Sequence, residues 1–151
     1  MKTADLPPGV TRLQQEGGIV KFGLRLADGA EVESVVVPMR QAAAGKARAS
    51  LCVSTQVGCR MGCAFCATAR MGFVRDLKPE EIMAQVEAAR ALGHRPANVA
   101  FMGMGEPLDH FENWAASVRR LLNAPAGSAI AMNRMTVSTC GLLPGLEKLA
   151  G

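Results

Sequence analysis

Apolar residues along this chain come in short runs broken by glycine, proline and charge. Their spacing switches between the alternating rhythm of strands and the three-to-four-residue rhythm of helices. Residues 1–17, with Pro7, Pro8, Gly9 and the Gly17-Gly18 pair, read as a loose lead-in. A hairpin pattern follows: a strand over 19–26, an Asp28-Gly29 turn signal, and a return strand over 31–37 that Pro38 ends. Residues 41–49 are alanine-rich and read as a connector, in which a short helix is an alternative. The run 50–57 is an apolar, β-branched strand that leads directly into Gly58-Cys59.

The rhythm then turns helical. Pro79 opens a helix at its first position, Glu80 and Glu81 sit at its positive end, and Ile82, Val86 and Ala89 form the apolar stripe. Gly93 and then Pro96 end it. A short buried strand over 98–102 leads to Gly103-Met104-Gly105-Glu106-Pro107. Asp109 reads as the N-cap of a helix to about Asn123, with Phe111, Trp114, Val118 and Leu121 on one face. Residues 125–127 make a turn and 134–139 a third strand. Pro144 starts a last helix with Leu146 and Leu149 facing inward. Strand, helix, strand, helix, strand, helix is the pattern of a parallel α/β fold, in which ligands sit at the carboxyl ends of the strands.

Composition narrows the class. The chain has 151 residues, enough for one domain that buries roughly 70% of its unfolded surface. A hydrophobic fraction of 49% supports a real core. No apolar run approaches the ~20 residues of a membrane span. With no tyrosine and 4% aromatics, a platform that stacks several bases is not expected. The net charge is +4, but from Arg40 to Lys78 there are seven basic residues against one acid, Asp76. That stretch brackets three cysteines. It suits an anionic cofactor or a polyanionic substrate, against the plainer reading of a solvated surface.

Those cysteines carry the chemistry. Cys59, Cys63 and Cys66 are spaced C-x3-C-x2-C, with Gly58 and Gly62 allowing a tight path around them. A zinc site usually takes four ligands, and the remaining candidates, Cys52, Cys140, His94 and His110, are poorly spaced for one. A disulfide framework fits neither the odd count of five cysteines nor the low content. Three thiolates suit a [4Fe–4S] cluster that keeps one iron open, whereas a ferredoxin brings four. Thiolate ligands need a reducing compartment, so a cytoplasmic location is expected. The cysteine loop, Gly103–Pro107 and Ser138-Thr139-Cys140-Gly141 all fall at carboxyl ends of the expected strands. Their convergence says more than any one of them.

The cysteine spacing is similar to that of the radical S-adenosylmethionine (SAM) superfamily. The wording goes further. Residues 51–59 (LCVSTQVGC), 63–69 (CAFCATA), Gly72-Phe73, 102–107 (MGMGEP) and 136–141 (TVSTCG) resemble the RlmN/Cfr family of rRNA adenine methyltransferases, from about Gly18 to the last residue. The resemblance implies an α/β fold: the first half of a partial (βα)6 TIM-like barrel over 50–151, preceded by a lead-in and β-hairpin over 1–49. It implies a [4Fe–4S] cluster on Cys59, Cys63 and Cys66, and SAM contacted by Gly105, Glu106 and Ser138. Phe65 matches an aromatic whose backbone lies near adenine, against plain packing. Glu33 matches the glutamate that takes the proton from the methylated adenosine, against a solvated strand residue. Cys52 matches the cysteine that pairs with a methyl-carrying cysteine, against a small buried one. Cys140 reads as packing.

The implied activity is radical methylation at C2 of an adenosine in 23S rRNA, with certain tRNAs as further substrates and an external electron donor. Methylation at C8, or a non-catalytic cluster-binding module, are the alternatives. No residue here matches the methyl-carrying cysteine, and neither the later strands of the barrel nor a helical RNA-holding domain is represented. The chain therefore reads as the cluster-binding half of such an enzyme, with a C-terminal half as its missing partner.

Overall fold

The computed structural model describes residues 6–39 and 48–151. Arg40, Lys46 and most of the expected connector lie outside them. The described elements are β1 (Val10–Glu16), β2 (Ile19–Arg25), β3 (Glu31–Met39), β4 (Arg48–Val53), β5 (Gln56–Gly58), β6 (Phe73–Asp76), α1 (Pro79–Ala91), β7 (Pro96–Phe101), α2 (Phe111–Leu122), β8 (Met135–Val137) and α3 (Leu143–Ala150). Short 3-10 helices span Ala67–Met71 and Met132–Arg134.

Six strands form one sheet in the order β1-β2-β3-β4-β7-β8, and β5 pairs with β6 in a separate two-stranded ribbon. The first four strands run antiparallel to their neighbours; β4, β7 and β8 are parallel. The parallel α/β half is therefore as expected, while the leading part is larger than a hairpin. The lead-in contains β1, joined to β2 through Gly17 and Gly18, whose φ values of 55° and 83° are those of a tight two-residue hairpin turn. The Gly-Gly pair was the signal for it. Pro38 does not end β3, which continues to Met39. At Pro38 the strand pairs only with Ala49 of β4, because its pairing with β2 stops at Val36, so the missing N–H disrupts no ladder on that side. The division expected between residues 49 and 50 falls inside β4.

The expected strand over 50–57 is two strands. Ser54 and Thr55 break it because their polar groups are used elsewhere. The Ser54 backbone N–H donates to Gln85 Oε1 at 2.8 Å, and its hydroxyl donates to the Glu33 carbonyl at 2.7 Å while accepting from the Met104 N–H at 2.9 Å. The chain turns there, and β5 leaves the main sheet.

One face of the sheet is covered by α1 and α2. Val20, Phe22, Val32, Val36, Leu51, Val53, Val99 and Phe101 point into that core, where they meet Ile82, Val86 and Ala89 of α1 and Trp114, Val118 and Leu121 of α2. Both helical stripes lie where the spacing put them. Glu81, rather than a side chain at the cap itself, closes the start of α1 by accepting the Lys78 N–H at 2.8 Å. The cap of α2 is His110, whose Nδ1 accepts from the Asn113 N–H, and not Asp109, whose carboxylate is held by Arg60 and Gln56. In α3 Leu146 packs against the core, but Leu149 is exposed.

Candidate cofactor-binding site

The site is built where β4, β7 and β8 end. β5 delivers Cys59 into a loop that is closed by β6. The Cys59 N–H donates to the Gly72 carbonyl at 2.8 Å, which fixes the loop at its neck. Gly58 makes this possible: its φ is 76°, and a Cβ there would lie 1.9 Å from the Gly72 oxygen. After β7, Gly103 to Glu106 fold back against the β4–β5 break. Thr55 and Gln56 both donate their backbone N–H to the Met104 carbonyl, at 2.8 and 3.2 Å. Gly105 has a φ of 98°, and a Cβ on it would strike Gln56 at 2.6 Å, so only glycine lets this segment lie flat on β5. β8 then brings up Ser138, whose N–H donates to the Phe101 carbonyl at 3.2 Å.

These segments enclose a cavity of about 240 Å³. Six of the eight expected site residues line it: Cys59, Cys63, Cys66, Gly105, Glu106 and Ser138. The three thiols are half-buried and none is in a disulfide. The Ala69 N–H, with help from Thr68, draws the Cys66 thiol below its ordinary value and so toward the thiolate form. Three soft thiol donors on one wall suit an iron–sulfur cluster. Among the described residues no group of three or more His, Cys, Asp or Glu side chains is placed to hold a single ion. A cubane on three cysteines does not require such a group, because each thiolate would go to a different iron.

Glu106 is more deeply embedded than its motif suggested. It is 4% exposed, and its carboxylate accepts the Leu108 N–H at 3.0 Å and the Cys140 N–H at 2.8 Å. It therefore ties the turn after β7 to the exit of β8. A carboxylate has about four acceptor positions, so the bonds it makes leave capacity for an ammonium group. Cys140 is an exposed residue on the cavity wall rather than a packing residue. Desolvation at the wall, then the Glu106 carboxylate beside it, push its thiol up to about 11 and keep it protonated at neutral pH. Phe65 also lines the cavity, and at 93% exposure it is not a core residue.

The other two expected residues lie outside this cavity. Glu33 faces a neighbouring cavity of about 520 Å³, which it shares with Lys21, Arg12, Met71 and Met104. Thr68 lines both cavities, so they adjoin across the 3-10 helix of the cysteine loop. Lys21 holds the Glu33 carboxylate at 2.8 Å. Cys52 pairs in register with Val35 and Ala100. Since Glu33 and Val35 are two residues apart on β3, Glu33 and Cys52 share the sheet face that the helices leave open. Cys52 is half-buried, and that burial pushes its thiol up.

The basic stretch is less of a free field than its charge count implied. Arg75 is bound by Glu81 and Asp28, and Arg60 by Asp109 at 2.7 Å. Sequence reasoning missed the group formed by Gln56, Arg60, Asp76 and Asp109 behind the cysteine loop. An acid at the end of β6 and another just after the glycine-rich turn were the available signals.

Comparison with known proteins agrees with this geometry. The chain is 43% identical to the dual-specificity RNA methyltransferase RlmN of a Nitratiruptor species, over 95% of this chain and 43% of that protein. It is 45% identical to the RlmN of Oleidesulfovibrio alaskensis, over 95% of this chain and 40% of that protein. A radical SAM methyltransferase from Sphaerobacter thermophilus, known from its crystal structure, superposes with a TM-score of 0.78 at 37% identity, over 93% of this chain and 41% of that one. The chain thus spans about two fifths of the length of the relatives it matches. The Radical SAM superfamily model matches residues 53–151. That match runs from the end of β4 through every segment that lines the cavity, and this chain belongs to the radical SAM superfamily.

Proposed function

We propose that this chain is the cluster- and SAM-binding part of an RNA methyltransferase that modifies C2 of an adenosine in 23S rRNA, with tRNA as a further substrate. The observation that carries the reading is the meeting of three thiols, a glycine-rich backbone and a buried carboxylate at one cavity. Residues 50–151 form the cofactor-binding unit and 1–49 its extension.

A [4Fe–4S] cluster with one open iron supplies reductive cleavage of the SAM carbon–sulfur bond, using an electron from an external donor. Cys59, Cys63 and Cys66 hold the cluster. Gly105 lets the ammonium of SAM approach bare backbone, and Glu106 offers it an acceptor. Ser138 donates its hydroxyl to the carboxylate or the ribose. On the open sheet face, Glu33 takes the proton that leaves the methylated adenosine, and Lys21 orients its carboxylate. Cys52, on the same face, pairs with the methyl-carrying cysteine during turnover. Thiol ligands suit a reducing compartment, which supports a cytoplasmic location. No helix among the described residues is long and apolar enough to cross a membrane.

Methyl transfer from labelled SAM to 23S rRNA fragments tests the reading. It compares this chain with a hybrid completed by the C-terminal part of an RlmN protein. The hybrid is expected to label C2, and Glu33→Gln in it to slow release of methylated adenosine. Label at C8 would assign the other specificity. A loaded cluster that never cleaves SAM in the hybrid would make this a binding module. Methylation by the chain alone would show that a separate methyl-carrying cysteine is not needed.

A further inference from the structure

Behind the cavity, Gln56 joins three parts of the chain that are far apart in sequence. Its side chain is 1% exposed. Both N–H groups of its amide are used: Nε2 donates to Asp76 Oδ1 and to Asp109 Oδ2, each at 2.8 Å. Its Oε1 accepts the Glu106 backbone N–H at 3.0 Å. The orientation of the amide follows from its partners, since an oxygen turned toward two carboxylates would be repelled and the Glu106 N–H would lose its acceptor.

The same two carboxylates hold Arg60, the residue after Cys59. Arg60 Nε lies 2.7 Å from Asp109 Oδ2, its NH2 group lies 4.0 Å from Asp76 Oδ2, and its guanidinium sits 3.8 Å above the Phe73 ring. On one side, then, the Gln56 amide reaches the cysteine loop through the carboxylate pair. On the other it fixes the backbone of Glu106, and Gly105 is pressed directly against its stem. Removing the amide leaves two carboxylates and one N–H short of partners in a buried place.

We propose that Gln56 is a positioning residue that couples the cysteine loop to the Gly105-Glu106 segment, so that cluster and SAM are held in register by one buried amide. The inference rests on the proposed cofactor reading of this cavity. It assigns Gln56 no contact with SAM or iron.

The test uses the purified protein, iron-free and after anaerobic loading. In the iron-free protein, Gln56→Leu should speed hydrogen exchange about tenfold at the Glu106 amide and, together with it, at the amides of residues 59–72. After loading, Gln56→Leu should take up iron as the wild type does but bind SAM about tenfold more weakly by equilibrium dialysis, and lose iron faster to a chelator. Arg60→Met serves as the second variant, because that side chain is half-exposed and the substitution should not prevent folding. Arg60 does not line the cavity, yet its loss should speed exchange at the Glu106 amide through Gln56.

Two results would overturn the coupling: exchange loosened at Glu106 alone in Gln56→Leu, or an unchanged Glu106 amide in Arg60→Met. Wild-type SAM affinity in a folded, loaded Gln56→Leu protein would also overturn it. A wild-type protein that loads iron but shows no response to SAM would instead sink the cofactor reading. The exchange experiment needs no cofactor and still decides whether the joint exists.

Discussion

The antiparallel and parallel halves of the sheet share one hydrogen-bonded surface but are held by different means. β1, β2 and β3 are neighbours in sequence, joined by short turns, and their open face carries partly exposed ion pairs such as Arg12–Glu31 and Lys21–Glu33. β4, β7 and β8 come together only after helical crossovers, and buried polar side chains lock their ends. Ser54, Gln56, Gln85 and Glu106 are each no more than 4% exposed, and each bonds to backbone far away in sequence. Hairpins need patterning and a turn, and their loop-closure cost is small. A parallel unit must fix its loop ends against one another, and of the groups that do so here Glu106 lines the cavity at the strand ends while the others brace it from behind. The half that is harder to assemble is the half whose strand ends form the cavity of the three thiols.

The largest expected effect separates the halves outright. Alanine at Cys59, Cys63 or Cys66 should abolish iron retention after anaerobic reconstitution, because a cubane with only two protein thiolates is not held. Cys140→Ala should retain iron, although Cys140 shares the cavity. Iron and sulfide content per chain is the measurement. Stoichiometric zinc with no iron uptake in the wild type would refute the cluster assignment. Substitutions on β1 or β2 should leave iron content unchanged.

A second pair of substitutions compares the joints themselves. Gln85 accepts from the Ser34 hydroxyl and the Ser54 N–H and donates to the Ser54 carbonyl, linking α1 to β3 and β4. Gln85→Leu leaves those groups buried and unpaired and should cost about 2–4 kcal/mol. Gly18→Ala forces a side chain into the left-handed turn between β1 and β2 and should cost about 1–2 kcal/mol. Denaturant midpoints at constant slope provide the comparison. A larger loss at Gly18 than at Gln85 would reverse the ranking of the two halves.

The same contrast explains what could be read from the sequence. Spacing placed both helical stripes and the three parallel strands, because core contacts repeat with the period of the element. The cysteine loop, the glycine-rich turn and Ser138 converged because in a parallel sheet strand ends share one edge. The sequence did not reveal where side chains overrule local pattern. Residues 50–57 look like one strand until Ser54 is seen bonding to Gln85, Glu33 and Met104. Asp109 has the right type for a helix cap, but Arg60 and Gln56 claim it. Each of those partners lies tens of residues away, and no local rule contains them. The strand in the lead-in was a different kind of miss: its Gly-Gly turn signal was local and legible.

The smallest effect concerns the rim between the halves. Arg75 on β6 reaches Asp28 in the β2–β3 turn and makes a two-bond pair with Glu81 at the start of α1, each bond 2.8 Å. The hydrogen bonds from Arg75 hold the Glu81 carboxyl below its ordinary value of 4.5. A carboxyl depressed in the folded state stabilises the fold above that value, and the contribution is lost as pH falls below 4.5 and through the depressed one. Glu81→Gln should therefore cost at most about 1 kcal/mol at pH 7, since solvent screens a pair at this depth. The difference from wild type should shrink as pH falls below 4.5 and should also shrink in high salt. Thermal melts of both proteins across that range provide the check. A gap that stayed constant into acid would mean that Glu81 acts through its backbone bond to Lys78 rather than through Arg75, and that the link between the two halves is not electrostatic.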